Sequence, residues 1–281
     1  MTTIEINGTG GILEGNLEAA AVNVNLDPVY GNFNGTTSSL HSASADFDGS
    51  IWHDTTGGCV SAWIYPKSDG ENNLGRIAAK SNATNGSDGW LFLVCDESSG
   101  AVSLRFQYAW GGAVAQWTTT SQEVPINAWS HVAVTYTPSG TGVDPVVYVN
   151  GVSVALTENT APSGANNAQE DAHDLYIGNN YGAERTFDGY IMDVKIYDAT
   201  TVTAAQVQAM AKKINVDKDD PDLPAVGASN TGLVGWYKFN ASTTADSSGE
   251  SNTLTAANMG SIVYDAFSVN VQDNSTTTDG T

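Results

Sequence analysis

The chain has 281 residues, 41% of them apolar and seven of them Trp, enough for one large all-β domain or two smaller ones. Ten Lys and Arg stand against 31 Asp and Glu, a net charge of −21. That balance argues against nucleic acid, whose binding needs clustered cations, and against anionic membrane surfaces; it favours solubility in salt and leaves room for calcium, which takes oxygen ligands. In chain order, the opening MTTIEINGTGG lacks the basic and apolar regions of a secretory leader, so synthesis and retention in a cytosol, or release by another route, are expected. No stretch reaches the ~20 apolar residues of a membrane span. Short β-rich runs then recur between Gly, Asn, Ser, Thr and Asp turns, predicting strands at 3–6, 20–26, 43–48, 58–65, 75–80, 89–95, 101–109, 113–120, 130–136, 145–150, 152–156, 173–178 and 188–197. Asn150-Gly151 is a two-residue hairpin signal between two of them. Cys59 and Cys95 lie in apolar strand-like runs and read as buried free thiols. One segment, TTVTAAQVQAMAKKI, has helical character, with a Thr cap and Val202, Ala205, Val207 and Met210 near one face. The stretch after it, 213–231, is acidic and Pro-containing and reads as a linker. Two further strands are predicted at 233–239 and 261–271.

The pattern is that of an all-β antiparallel sandwich, and particular strings sharpen it. NAWSHVAVTYTPSG leads to VVYVNG, and FDGYIMDVKIYDATTVTAAQVQAM closes the run; ADFDG at 45–49 and VSAWIYP at 60–66 precede them. These motifs, in this order, resemble the laminin-G-like branch of the concanavalin A-like lectin/glucanase superfamily. The resemblance covers about residues 40 to 212 and implies a concanavalin-like jelly roll with one short helix. Trp63 and Trp129 then read as core residues, His131 as a structural histidine, and the second FDG, at 187–189, as strand-start geometry.

GLVGWYKFNASTTADSSG, residues 232–249, resembles the opening strand and turn of that family, yet it stands after the closing strand, while the arm 1–39 lacks the motif. The segment 232–281 is too small to be stable alone. It is expected to pair with its own sandwich, to add to a neighbouring subunit's sheet, or to form a satellite β-unit.

Glucanases on this fold need two carboxylates about 5 to 9.5 Å apart, carried in laminarinase-type relatives as E-x-D-x-x-E. That spacing is absent, as are G-x-S-x-G, H-E-x-x-H and a P-loop, so the chain reads as a non-enzyme. The resemblance implies a structural calcium between first and last strands, with Asp193 and Asp246 at the matching acidic positions. Sugar recognition combines an aromatic platform with amide hydrogen bonders. LRFQYAWGGAVAQW supplies Tyr108, Trp110 and Trp117 beside Gln107 and Gln116, with Trp110 at a hairpin turn; Trp52, His53 and Asp54 form a weaker second cluster. The expected function is a non-catalytic structural or decoration protein on the surface of a virus particle, a phage. Its partners would be copies of itself or other virion proteins, through the N- and C-terminal segments. A glycan-binding adhesin contacting cell-surface glycans, extracellular by a non-classical route, is the alternative, and a glycan hydrolase the third reading.

Overall fold

Alternation of apolar and polar residues builds two antiparallel sheets whose apolar faces meet. The computed structural model describes residues 23–26, 29–43, 51–52, 55–166, 173–214, 218–224, 232–239, 244–260, 263–264 and 267–270. In chain order the strands are β1 (Asn23–Leu26), β2 (Val29–Asn34), β3 (Ser39–Ser42), β4 (Gly58–Pro66), β5 (Arg76–Lys80), β6 (Trp90–Ser98) and β7 (Ala101–Ala109). They continue with β8 (Val114–Thr119), β9 (Val124–Pro125), β10 (Ser130–Tyr136), β11 (Val146–Val149), β12 (Val152–Ser153), β13 (Leu156–Thr160), β14 (Leu175–Ile177) and β15 (Asp188–Asp198). Helix α1 (Ala204–Lys212) follows, then β16 (Gly232–Tyr237), β17 (Thr255–Ala257), β18 (Val263–Tyr264) and β19 (Phe267–Asn270). One sheet runs β12-β11-β10-β4-β15-β2-β18 with β16 also on β15; the other runs β13-β8-β7-β6-β5-β14-β3-β17 with β9 on β7; β1 pairs with β19.

The interlayer core takes every second residue of each long strand. On β4 these are Val60, Ala62 and Ile64, on β10 Val132, Val134 and Tyr136, on β15 Val194 and Ile196, and from the facing sheet Phe92, Leu104 and Phe106. The other face of β4 and β10 carries a second, smaller core, in which Cys59, Ala133, Tyr148 and Tyr197 lie under Val207 and Met210 of α1. The helix starts at a reciprocal cap, Thr203 Oγ1 accepting from the Gln206 amide and Gln206 Oε1 from the Thr203 amide. Ala205, expected on the packed face, is exposed. Part of the expected linker is folded onto this layer: Leu223 is buried in it, and Lys213 holds Asp220 at 2.7 Å and Asp222 at 2.6 Å.

β2, β13 and β17 were not legible as strands, since VYGNFN is interrupted by Gly and Asn, and LTENT and TAA are short with little apolar content. The expected strands at 3–6 and, but for Ala43, at 43–48 lie outside the described residues. β15 begins at the FDG motif because Gly189, with φ +134°, passes so close to the Tyr65 carbonyl that a Cβ has no room. Along one side, β15 changes partner at mid-length. Its residues Asp188–Ile191 pair with β2, and Val194–Asp198 pair with β16. The hand-over coincides with an irregularity between Met192 and Lys195 in the register with β4. A strand from the far end of the chain, β16, thus lies beside the second half of β15.

Candidate functional site

The expected sugar platform divides across the two faces of its sheet. Period-2 alternation sends Tyr108 and Trp117 inward, where each is 1% exposed, and Gln107 and Gln116 outward. The glutamines, directly opposite on β7 and β8, hydrogen-bond each other at 2.9 Å. Inside, Tyr108 and Trp117 close on Tyr136 at 5.2 and 5.5 Å between ring centroids. The Tyr108 hydroxyl donates to Asn166 and the Trp117 indole to Asp144. Trp110 sits at the expected hairpin turn yet is only 6% exposed. The strap 163–166 lies over that hairpin, with Gly112 donating to the Ser163 carbonyl and Gly111 to that of Ala165. A platform for a ligand is therefore not what these three rings form. Trp52 is also core; His53 and Asp54 lie outside the described residues.

The half-exposed aromatics are elsewhere. Trp63 and Tyr65 of β4 point away from the interlayer core, on the same face as Cys59 and Ser61. Tyr190 pairs with Tyr65 across β15 and β4, and Trp129 precedes Ser130, which pairs with Ile64. With Tyr30 of β2 they close into one cluster. Tyr65 lies 5.6 Å from Trp129 and 5.4 Å from Tyr190, and Tyr30 lies 4.5 Å from Tyr190 and 5.4 Å from Trp129. Tyr30 is buried, whereas Tyr65, Trp129 and Tyr190 are each half-buried. The exposed Lys67 places its ammonium 4.3 Å over the Tyr190 ring. Asn32, opposite Tyr190, adds a side-chain amide at the border, and the exposed Asn127, two residues before Trp129, donates its backbone N–H to the Pro66 carbonyl. Trp63 and Trp129, expected in the core, are partly buried and pack against its edge. The signal for this cluster was the Trp63-x-Tyr65 alternation; which strands flank it was not in the sequence.

His131, beside Trp63 at 5.7 Å, is 1% exposed. Burial first, and then the Lys195 ammonium, push its pKa down to about 3. It is a neutral structural residue. Cys59 and Cys95 are free and buried, and burial holds both thiols well above their ordinary pKa.

Asp193 and Asp246 meet at one residue, Trp236. The indole N–H donates to Asp193 Oδ1 at 2.7 Å, and the Trp236 amide donates to Asp246 Oδ1 at 2.9 Å. Lys195 Nζ lies 2.6 Å from Asp193 Oδ2. Asp246 also accepts from the amides of Ser248 and Asn252 and from the Ser248 hydroxyl. All four carboxylate oxygens face N–H or O–H donors. Calcium asks for six to eight oxygen ligands, and no group of three or more acidic, His or Cys residues could hold a metal among the described residues. The two acids do not fit the implied ion.

Two antiparallel sheets in this order, closed by a strand that leads into a helix on the outer face, define a lectin-like jelly roll. A model of the concanavalin A-like lectin/glucanases superfamily matches residues 34–208, and the chain belongs to that superfamily. Among solved structures it is similar to a candidate carbohydrate-binding protein from Bacteroides ovatus, with a TM-score of 0.55 at 20% identity. The match takes in 88% of this chain and 62% of that longer one. It is also similar to the enzymatically active domain of tailspike protein 2 of bacteriophage CBA120, with a TM-score of 0.50 at 12% identity over 80% of this chain and 35% of that one. The sialidase CBM40 of Ruminococcus gnavus bound to α2,3-sialyllactose follows at 0.46 and 13%, over 64% of this chain and 96% of that one. At these identities the first two likenesses show the fold alone. No curated protein matches the chain.

Proposed function

We propose that the protein is a non-catalytic, glycan-contacting module displayed on the surface of a virus particle. The observation that carries glycan contact is the half-buried cluster Trp129, Tyr65 and Tyr190, bordered by Asn127, Asn32 and Lys67. Ring surface offers the apolar faces of a pyranose a place to pack, while amides and an ammonium serve its hydroxyls. Membership of a lectin superfamily supports the same ligand class, and the missing E-x-D-x-x-E spacing supports a non-catalytic role. The particle placement rests on the strongly acidic composition; the strands at the two ends of the chain pair within it, β1 with β19 and β16, β17 and β18 with β15, β3 and β2.

A glycan array with the full-length protein tests the ligand, followed by titration of the best hit. Trp129→Ala should weaken that binding at least tenfold, about 1.4 kcal/mol, with a smaller loss of stability than truncation of a fully buried Trp such as Trp117. An array without a hit, or a Trp129→Ala protein that binds unchanged, overturns the glycan reading. Mass spectrometry of purified particles from the source tests the placement, and absence of the protein from them refutes it.

A further inference from the structure

The Asp193–Lys195 pair asks for an explanation, since both side chains are at most 1% exposed. A carboxylate withdrawn from water costs several kcal/mol unless a cation and hydrogen bonds compensate it. In the implied arrangement a divalent ion would do so, joining the strand that opens the sandwich to the one that closes it. Here the compensation is built from the chain itself. Asp193 has φ +51°, a left-handed conformation that aspartate tolerates better than most residues. It stands at the irregularity between Met192 and Lys195; acid and ammonium, two residues apart on one strand, lie on the same face by strand alternation and meet at 2.6 Å. The remaining oxygen takes the Trp236 indole at 2.7 Å. The Trp236 ring also has Lys195 Nζ 5.0 Å and Lys238 Nζ 3.8 Å from its centroid, in the range of cation–π attraction. Among the described residues, the donors to Asp193 are the Lys195 ammonium and the Trp236 indole, and no group of acidic, His or Cys residues there could hold a metal.

We propose that Lys195 is a resident counter-ion standing where a divalent cation would otherwise tie opening strand to closing strand, and that Asp193, Lys195 and Trp236 form a metal-independent latch for the C-terminal strand β16. One ammonium matches the single carboxylate in charge. The second acid, Asp246, is thereby released from metal duty and instead organises the Asp-Ser-Ser-Gly turn, holding the Trp236 backbone amide. Trp236 is fastened twice, by its side chain to β15 and by its main chain to its own turn.

The test uses the full-length protein. Thermal melts in excess EGTA and in millimolar calcium should coincide, and tryptophan emission should be the same in both. A melting temperature that falls in EGTA and returns with calcium overturns the proposal without any variant. Lys195→Met should lower the melting temperature by several degrees and make the chain after α1 sensitive to limited proteolysis. Pairing it with Asp193→Asn should recover most of the loss, because the uncompensated charge is gone. A Lys195→Met protein that melts as the wild type does, or a double variant no better than the single one, refutes the counter-ion role.

Discussion

Trp110 shows how a side chain that reads as exposed becomes core. It precedes Gly111-Gly112 at a hairpin turn, and the strap 163–166 hydrogen-bonds across that turn and covers the ring. Its truncation should therefore cost about 3 to 5 kcal/mol, the scale of a buried aromatic, measured by urea denaturation of Trp110→Ala. A loss of a few tenths of a kcal/mol would show that the strap does not seal it. His131 makes a prediction about pH. Its folded pKa, about 3, lies below the ordinary 6.5. The unfolded chain therefore binds a proton below pH 6.5 that the native one refuses. Its contribution is complete above 6.5 and is lost as pH falls toward 3, by up to about 1.4 kcal/mol for each pH unit. Stability measured across that window should fall less steeply for His131→Gln than for the wild type, and parallel curves would refute the assignment.

Among elements, β15 organises the site. Eleven residues long, it pairs with β4 on one side and shares the other between β2 and β16. Its first half presents Tyr190 to the aromatic cluster, and its second half, with α1 over it, contributes Tyr197 to the small outer core. Deleting 228–281 removes β16 from β15, β17 from β3 and β18 from β2. It would also uncover Cys59 and Tyr197 by taking away Leu233 and Trp236. The truncated chain should melt well below the full-length one and bind more of an apolar dye. Equal melting temperatures would show that the segment adds nothing to the sandwich.

At the scale of the molecule, 31 acids against ten cations repel one another in the folded state. Screening lengths fall from about 30 Å at 0.01 M salt to about 8 Å at 0.15 M, so the melting temperature should rise with sodium chloride over that range. The buried Asp193–Lys195 pair, out of reach of solvent ions, should not reverse the trend. A melting temperature that falls with salt would mean that surface ion pairs outweigh the repulsion.

The all-β class, the one helix with its Thr203 cap, the long strands β4, β7, β10 and β15 and the buried thiols followed from the sequence, because alternation, capping and turn residues are local signals. The family motifs added the jelly-roll class. What the sequence left open was decided between distant segments. Tyr65, Tyr190 and Trp129 become one surface only when β15 lies beside β4 and β4 beside β10. Tyr108 and Trp117 part from Gln107 and Gln116 because neighbours on a strand face opposite ways, and Trp110 is sealed by residues fifty positions away in the chain. Asp193 and Asp246 do converge, but on Trp236 and beside Lys195. A motif names which residue types stand at a position; whether a carboxylate there meets a metal or a lysine depends on what the fold packs against it.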